Sequence, residues 1–204
     1  MNVRNARRLT RRPMSRGWFR AIRTAFLGTP LAVSHTVTIP GRFNYAAPGR
    51  PGFPVLYLTE DPVTALYEVG AMLGSPHRAA APAPGRVSHW ATVSVSVTLF
   101  GVVDLTRPSE RRLIRVTIQE LTGDWDGYRL RWIGRPRPSP AWPVAPTQRL
   151  GEALHRVRGL EGVITFSARD ATKRNLIVFP NKLRKGSVVT FTEPNGRREE
   201  LRGA

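Results

Sequence analysis

The chain of 204 residues contains no cysteine. That absence removes disulfides, thiolate nucleophiles and thiolate-bound zinc together, and it fits a reducing compartment such as the cytoplasm. No stretch reads as a membrane span. The charge-free segment 87–103 alternates Ser and Thr with Val, which is a strand pattern. The basic N-terminus is not followed by an apolar segment and a small-residue cleavage site, so a secretory leader is not expected. Four recurrent motifs are also missing: GxxxxGK[ST], GxGxxG, HExxH and GxSxG. Their absence disfavours a P-loop NTPase, a Rossmann dehydrogenase, a zincin and an α/β-hydrolase. His35, His77, His89 and His155 lie without metal-ligand spacing, and no metal is expected.

Acidic residues are scarce, 14 against 32 lysines and arginines, for a net charge of +18. Eight arginines and no acid fall within the first 23 residues. Residues 1–16 are expected to form a flexible, solvated basic tail. An arm that binds nucleic acid or an acidic partner is the functional alternative.

The remaining residues, 17–204, suit a single domain. Residues 17–25 (GWFRAIRTA) read as the first ordered element, 32–40 as partly extended, and the Gly- and Pro-rich stretch 41–52 as a loop. A short buried strand is expected over 53–58. Asp61 and Pro62 then supply an N-cap and a first helical residue for a helix running to Leu73, with Gly74 as its stop. In 92–98, Val93, Val95 and Val97 alternate with Ser and Thr, the cleanest strand signal in the chain. A helix follows around 109–121. Residues 128–146 hold five prolines and read as an irregular loop or an interaction surface. A helix from Thr147 places Leu150, Leu154 and Val157 on one face and stops at Gly159. Strands are expected over 162–166, 176–179 and 187–192. The mixed order of strands and helices points to α+β rather than a regular βαβ array.

One segment carries a chemical signal of its own. Residues 62–76 are apolar nearly all round as a helix, which predicts burial, and Glu68 is their only charged residue. A buried carboxylate needs a partner or a proton, so Glu68 is either a structural anchor or one wall of a cleft. Tyr57, just before this helix, faces the same cleft or fills the core. Arg42 stands in the preceding Gly-rich loop, where a guanidinium suits phosphate or carboxylate recognition but equally suits plain surface exposure.

Taken in order, GRFN (41–44), VLYLTEDPVTALYEVG (55–70), PTQRLGEAL (146–154) and FSARDATKRNLIVFP (166–180) resemble the RES-domain family over about residues 17–192. The resemblance implies a single α+β domain with a split, mixed β-sheet core and flanking helices, similar to ADP-ribosyltransferase toxins. It implies an NAD-degrading enzyme, an NAD phosphorylase or NAD glycohydrolase, acting as the toxin of a bacterial toxin–antitoxin pair. Arg42, Tyr57, Glu68 and Ser167 fall on the family's catalytic positions. Arg20, Thr147, Gln148 and Asn175 are the expected NAD-binding residues. NAD is then substrate, inorganic phosphate a candidate co-substrate, and no cofactor is required. The implied partner is a cognate antitoxin, for which residues 136–146 offer a contact surface. Nucleic acid is expected only through the basic tail or the antitoxin complex, and oligomeric state is left open, a homodimer included. Phe43 replaces a commoner tryptophan, and the turn ARDATKR lacks a glycine before Asn175. Two further functions stay open: transfer of ADP-ribose to a macromolecule, and non-enzymatic nucleic-acid binding.

Overall fold

A computed structural model describes residues 1–47, 49–72, 89–128 and 143–203. The Val/Ser/Thr alternation builds the central strand, β3 (Trp90–Asp104), much longer than its clearest stretch. Val93, Val95, Val97 and Leu99 are buried, while Ser94 and Ser96 face solvent. Antiparallel to it runs β1 (Arg12–Arg23), in one register from Met14 opposite Leu99 to Arg23 opposite Trp90, with a register shift before Arg12 meets Val102.

Three short strands complete the core: β2 (Leu56–Thr59), β4 (Gly162–Phe166) and β5 (Arg174–Val178). β2 lies between β1 and β5, β5 pairs with β4, and β4 pairs in parallel with β3 at residues 102–104. Because β1 pairs with both β2 and β3, the run β1-β2-β5-β4-β3 closes on itself. β6 (Val188–Thr192) extends the sheet from β3, and β7 (Arg198–Arg202) lies beyond it. All seven strands therefore belong to one connected sheet, where a split core was expected.

Side-chain alternation on β5 divides the core into two layers. Leu176 and Val178 pack with Trp18, Leu56, Val95 and Leu99, whereas Ile177 packs with Phe43, Leu105, Leu150 and Leu154. β5 is thus apolar on both faces, as a strand covered on both sides must be. Each large side chain buried in these layers contributes roughly 1.5–3 kcal/mol of transfer free energy. Among the described residues the α-helices are α1 (Pro62–Glu68), α2 (Pro108–Ile114), α3 (Ile118–Thr122) and α4 (Pro146–His155).

Several expectations change. The basic N-terminus is not a tail: Val3–Arg8 form a 3₁₀ helix against α2 and α4, and β1 begins at Arg12. Its arginines stay outside while Ala6 and Leu9 enter the core, each 3% exposed. The Asn2 N–H donates to Ile114 O, and the Thr10 N–H to Glu110 Oε2. The helix at 62 stops at Glu68 instead of Leu73. Gly70, at φ 71°, reverses the chain there, and Val63 and Val69 are exposed, so the helix is not buried all round. The single helix expected at 109–121 is broken at Arg115 (φ 50°) and restarts at Thr117 with a capping box to Glu120. Residues 34–37 form a 3₁₀ turn in place of extended chain, and β7 had no counterpart in the sequence reading. Most of the proline-rich stretch, 129–142, lies outside the described residues.

Glu161 is a fully buried carboxylate with a structural task. It accepts from the N–H groups of Phe100 (2.9 Å), Gly101 (2.6 Å) and Arg184 (2.8 Å), joining the β3 bend to the turn before β6. Burial pushes its carboxyl up, but the Ser187 side chain, the Arg184 and Phe100 amides and the Arg184 guanidinium together outweigh burial and leave it below the ordinary carboxylate value.

Two outcomes follow from this packing. Deleting residues 1–10 should lower the unfolding free energy by at least about 2 kcal/mol in denaturant titrations, since Leu9 leaves the core; a solvated tail would leave it unchanged. Replacing Glu161 by Gln should cost about 1–3 kcal/mol at neutral pH. A carboxyl depressed in the fold stabilises above its unfolded pKa and loses that contribution as pH falls through the folded value. The Glu161→Gln variant should therefore show a shallower loss of stability on acidification than the parent chain.

Candidate active site

The carboxylate singled out by sequence is held by a short chain of local causes. Asp61 caps α1, accepting from the Thr64 N–H at 2.6 Å, and Pro62 opens the first turn. Two turns later α1 ends on Glu68, so its side chain leaves the helix toward the β2–β5 edge. There Glu68 Oε1 accepts three hydrogen bonds: from the Ser167 hydroxyl, from the Ala168 N–H at 3.1 Å and from Asn175 Nδ2 at 2.9 Å. Among the described residues no hydrogen bond reaches Oε2.

Ser167 is completely buried, just past β4. Its oxygen also accepts from the N–H groups of Arg169 (3.1 Å) and Asp170 (3.2 Å), forming a serine turn. With its proton on Glu68 and its lone pairs on the turn, Ser167 is a positioning residue. Asn175 sits on β5, paired across to Thr59 on one side and Thr165 on the other. Its Oδ1 is buried without a partner.

The GRFN loop is fixed from a second direction. Tyr57 donates its hydroxyl to Asn44 Oδ1 at 2.7 Å and accepts from the Phe43 N–H at 2.9 Å. Asn44, fully buried, donates to Thr36 O at 2.7 Å and Ile39 O at 3.2 Å. Burial pushes the Tyr57 phenol well above its ordinary value, so it stays protonated. Gln148 Nε2 donates to Gly41 O at 3.1 Å, and its Oε1 accepts from the Ala145 N–H at 3.0 Å. α4 meets the loop backbone to backbone: a Cβ on Gly151 would stand 1.8 Å from Phe43 O. Only glycine fits there.

What the loop presents is Arg42. Its Nε and Nη1 are buried and make no hydrogen bond. Burial lowers the guanidinium's pKa, and the nearby Glu68 and Tyr57 oppose that shift. Arg20 on β1 is engaged instead: Nη1 donates to Pro30 O and Nη2 to Ala32 O at 3.0 Å. Burial lowers Arg20 to about 10, with Glu199 acting against it, so it remains cationic at neutral pH.

A cavity of about 760 Å³ gathers Arg20, Arg42, Tyr57, Glu68 and Asn175, a size in the range of small-molecule sites. Ser167, Thr147 and Gln148 do not line it. Ser167 acts through Glu68, Gln148 through the loop, and Thr147, 2% exposed with an unpartnered hydroxyl, lies inside the first turn of α4, whose N-cap is Ala145. His35, Trp90 and Trp125 line the cavity and were not expected there. Burial, then Arg20, lowers the pKa of His35. None of the three sits in a local pattern that marks it: Trp90 comes in through the pairing of β1 with β3, His35 through the turn at 34–37 and Trp125 through the chain just past α3. No cluster of three or more His, Asp or Glu residues suited to a metal occurs among the described residues, nor is any helix long and apolar enough to cross a membrane.

The closed sheet, with an anchored carboxylate and a desolvated guanidinium in one cavity, defines an α+β domain whose cavity is of a size to take a small molecule. The chain belongs to the RES domain family, which it matches over residues 11–197. No curated protein matches it. Among solved structures it is similar to a chain in the crystal structure of the M. tuberculosis MbcT–MbcA toxin–antitoxin complex. The TM-score is 0.65 at 19% identity, over 98% of this chain and 91% of that one. At that identity the likeness is one of fold.

The bridging role of Tyr57 has a direct test. Tyr57→Phe keeps the ring and strands the Phe43 N–H and Asn44 Oδ1, which should cost about 1–3 kcal/mol of stability. A tyrosine acting only on a ligand would leave the unfolding midpoint in place.

Proposed function

We propose that this protein cleaves the nicotinamide–ribose bond of NAD and serves as the toxin of a toxin–antitoxin pair. The observation that carries the reading is the pairing, in one cavity, of a carboxylate anchored through a single oxygen with an arginine, Arg42, whose Nε and Nη1 are buried without a hydrogen-bond partner among the described residues. An unpaired buried cation is costly, and an anionic ligand group relieves that cost. NAD supplies both halves of the match: a pyrophosphate for Arg42 and a nicotinamide ribose that turns cationic during cleavage for Glu68.

The step balances simply. The ribose C1′–nitrogen bond breaks with its electron pair going to the pyridinium nitrogen, which leaves neutral nicotinamide. The ribose gains oxocarbenium character, and an oxygen of phosphate or water bonds to C1′. With water as acceptor, one proton is released. Glu68 Oε2 stabilises the cation, while Oε1 stays locked by Ser167, Ala168 and Asn175 so that the charge does not rotate away. Arg42 holds the pyrophosphate, and its proximity to the reacting centre suits it to admit inorganic phosphate as co-substrate. No cofactor or metal enters this scheme. The family's implied likeness to ADP-ribosyltransferase toxins belongs to the same proposal, as does a cytoplasmic site of action, where NAD is available. The fold shared with a chain of a toxin–antitoxin complex supports a cognate antitoxin as partner.

The experiment is direct. Purified protein incubated with NAD, with and without inorganic phosphate, should release nicotinamide, and the second product identifies phosphate or water as acceptor. Intact NAD under both conditions with folded protein would overturn the proposal. Label from NAD appearing on protein or nucleic acid would replace it with ADP-ribosyl transfer. Glu68→Gln should lower kcat by about 100-fold or more while NAD still binds.

A further inference from the structure

The arginines of the N-terminus are unused by this chemistry, and the fold gives them a definite place. The 3₁₀ helix Val3–Arg8 packs against the C-terminal end of α4, and Arg11 Nη1 donates to Arg158 O at 3.4 Å, tying two distant segments together. Between them lies a groove of about 480 Å³ lined by Arg4, Arg7, Arg11, Arg156 and Arg158, with only small apolar residues between them. It shares no residue with the cavity that holds Glu68. No acidic residue lines it, and none of the five arginines makes an ion pair among the described residues. All five are exposed.

We infer that this groove binds the phosphodiester backbone of nucleic acid without regard to sequence. Five like charges held side by side repel one another, so the folded groove favours a dense polyanion that neutralises several at once. Arginine forks match phosphate oxygens in pairs. An acidic protein partner fits less well. Protein interfaces centre on aromatic or large aliphatic anchors, and none of the large exposed hydrophobic residues (Met1, Phe26, Leu27, Ile39, Val63, Val69, Phe100, Ile118) lines the groove. With no base-stacking aromatic and no amide side chain to read base edges, the groove contacts backbone only.

The test uses the full chain and fluorescently labelled random-sequence duplex DNA and RNA, read by anisotropy across a salt series. Binding should weaken steeply with salt. The double variant Arg7→Gln/Arg156→Gln should lose about tenfold or more in affinity at low salt and flatten the log–log salt slope on DNA by about 2. Lys185→Gln/Arg198→Gln removes the same charge elsewhere and should lose no more than about threefold, which separates the groove from net charge. Arg7→Lys/Arg156→Lys should keep most of the affinity, and an unchanged unfolding midpoint shows that the variants are folded. Equal losses in the two double-Gln variants would overturn the assignment. So would binding of a poly-glutamate peptide as tight as that of nucleic acid at matched charge, which would make the groove a docking site for an acidic protein. The NAD reading stands or falls separately, because nicotinamide release does not pass through these arginines.

Discussion

The fixed orientation of one carboxylate oxygen, Glu68 Oε1, is the constraint around which the site is arranged. Its three donors come from a serine turn after β4 and from an asparagine on β5, while Glu68 arrives on the last turn of α1. Those pieces meet because β2, which leads into α1, is paired with β5, and β5 with β4. The carboxylate is therefore held by the sheet's own register. A one-residue slip of β5 would turn Asn175 to the opposite face and put Ile177 where Leu176 packs.

The second constraint is the GRFN loop, which has no regular structure and is held at several points. Tyr57 from β2, Gln148 from α4 and the close approach of Gly151 grip successive residues of it. Tyr57 and Gln148, both expected at the site, thus brace the loop as well. The Tyr57 hydroxyl already spends its proton on Asn44 and accepts from Phe43. These contacts fix the backbone around Arg42 without hydrogen-bonding its guanidinium, which limits its freedom to turn toward another partner.

Legibility in the sequence tracked locality. The alternation in β3, the Asp-Pro start of α1 and the lone acid at 68 are local patterns, and the structure carries all three. The register of the closed sheet and the course of the connecting segments are not local, and with them went the cavity wall contributed by His35, Trp90 and Trp125. The end of α1 was misplaced because periodicity continued past Gly70, whose positive φ overrides it. At the N-terminus, charge dominates the composition and suggests a solvated tail. Two apolar residues, Ala6 and Leu9, dock it, and its arginines reach outward from a helix whose other side is covered.

Arginine illustrates how far composition alone falls short of function. Arg42, desolvated and unpartnered, faces a cavity with a carboxylate in it, where a single well-placed anionic group is worth far more than in water. The groove arginines are solvated, so each contact there is weak and screened, and only their number gives affinity. Arg20 lines the same cavity as Arg42 but differs from it in that two backbone carbonyls accept from its guanidinium. One side-chain type thus stands desolvated in the cavity at Arg42, solvated in the groove and bound to backbone carbonyls at Arg20, and burial and available partners decide what each can do.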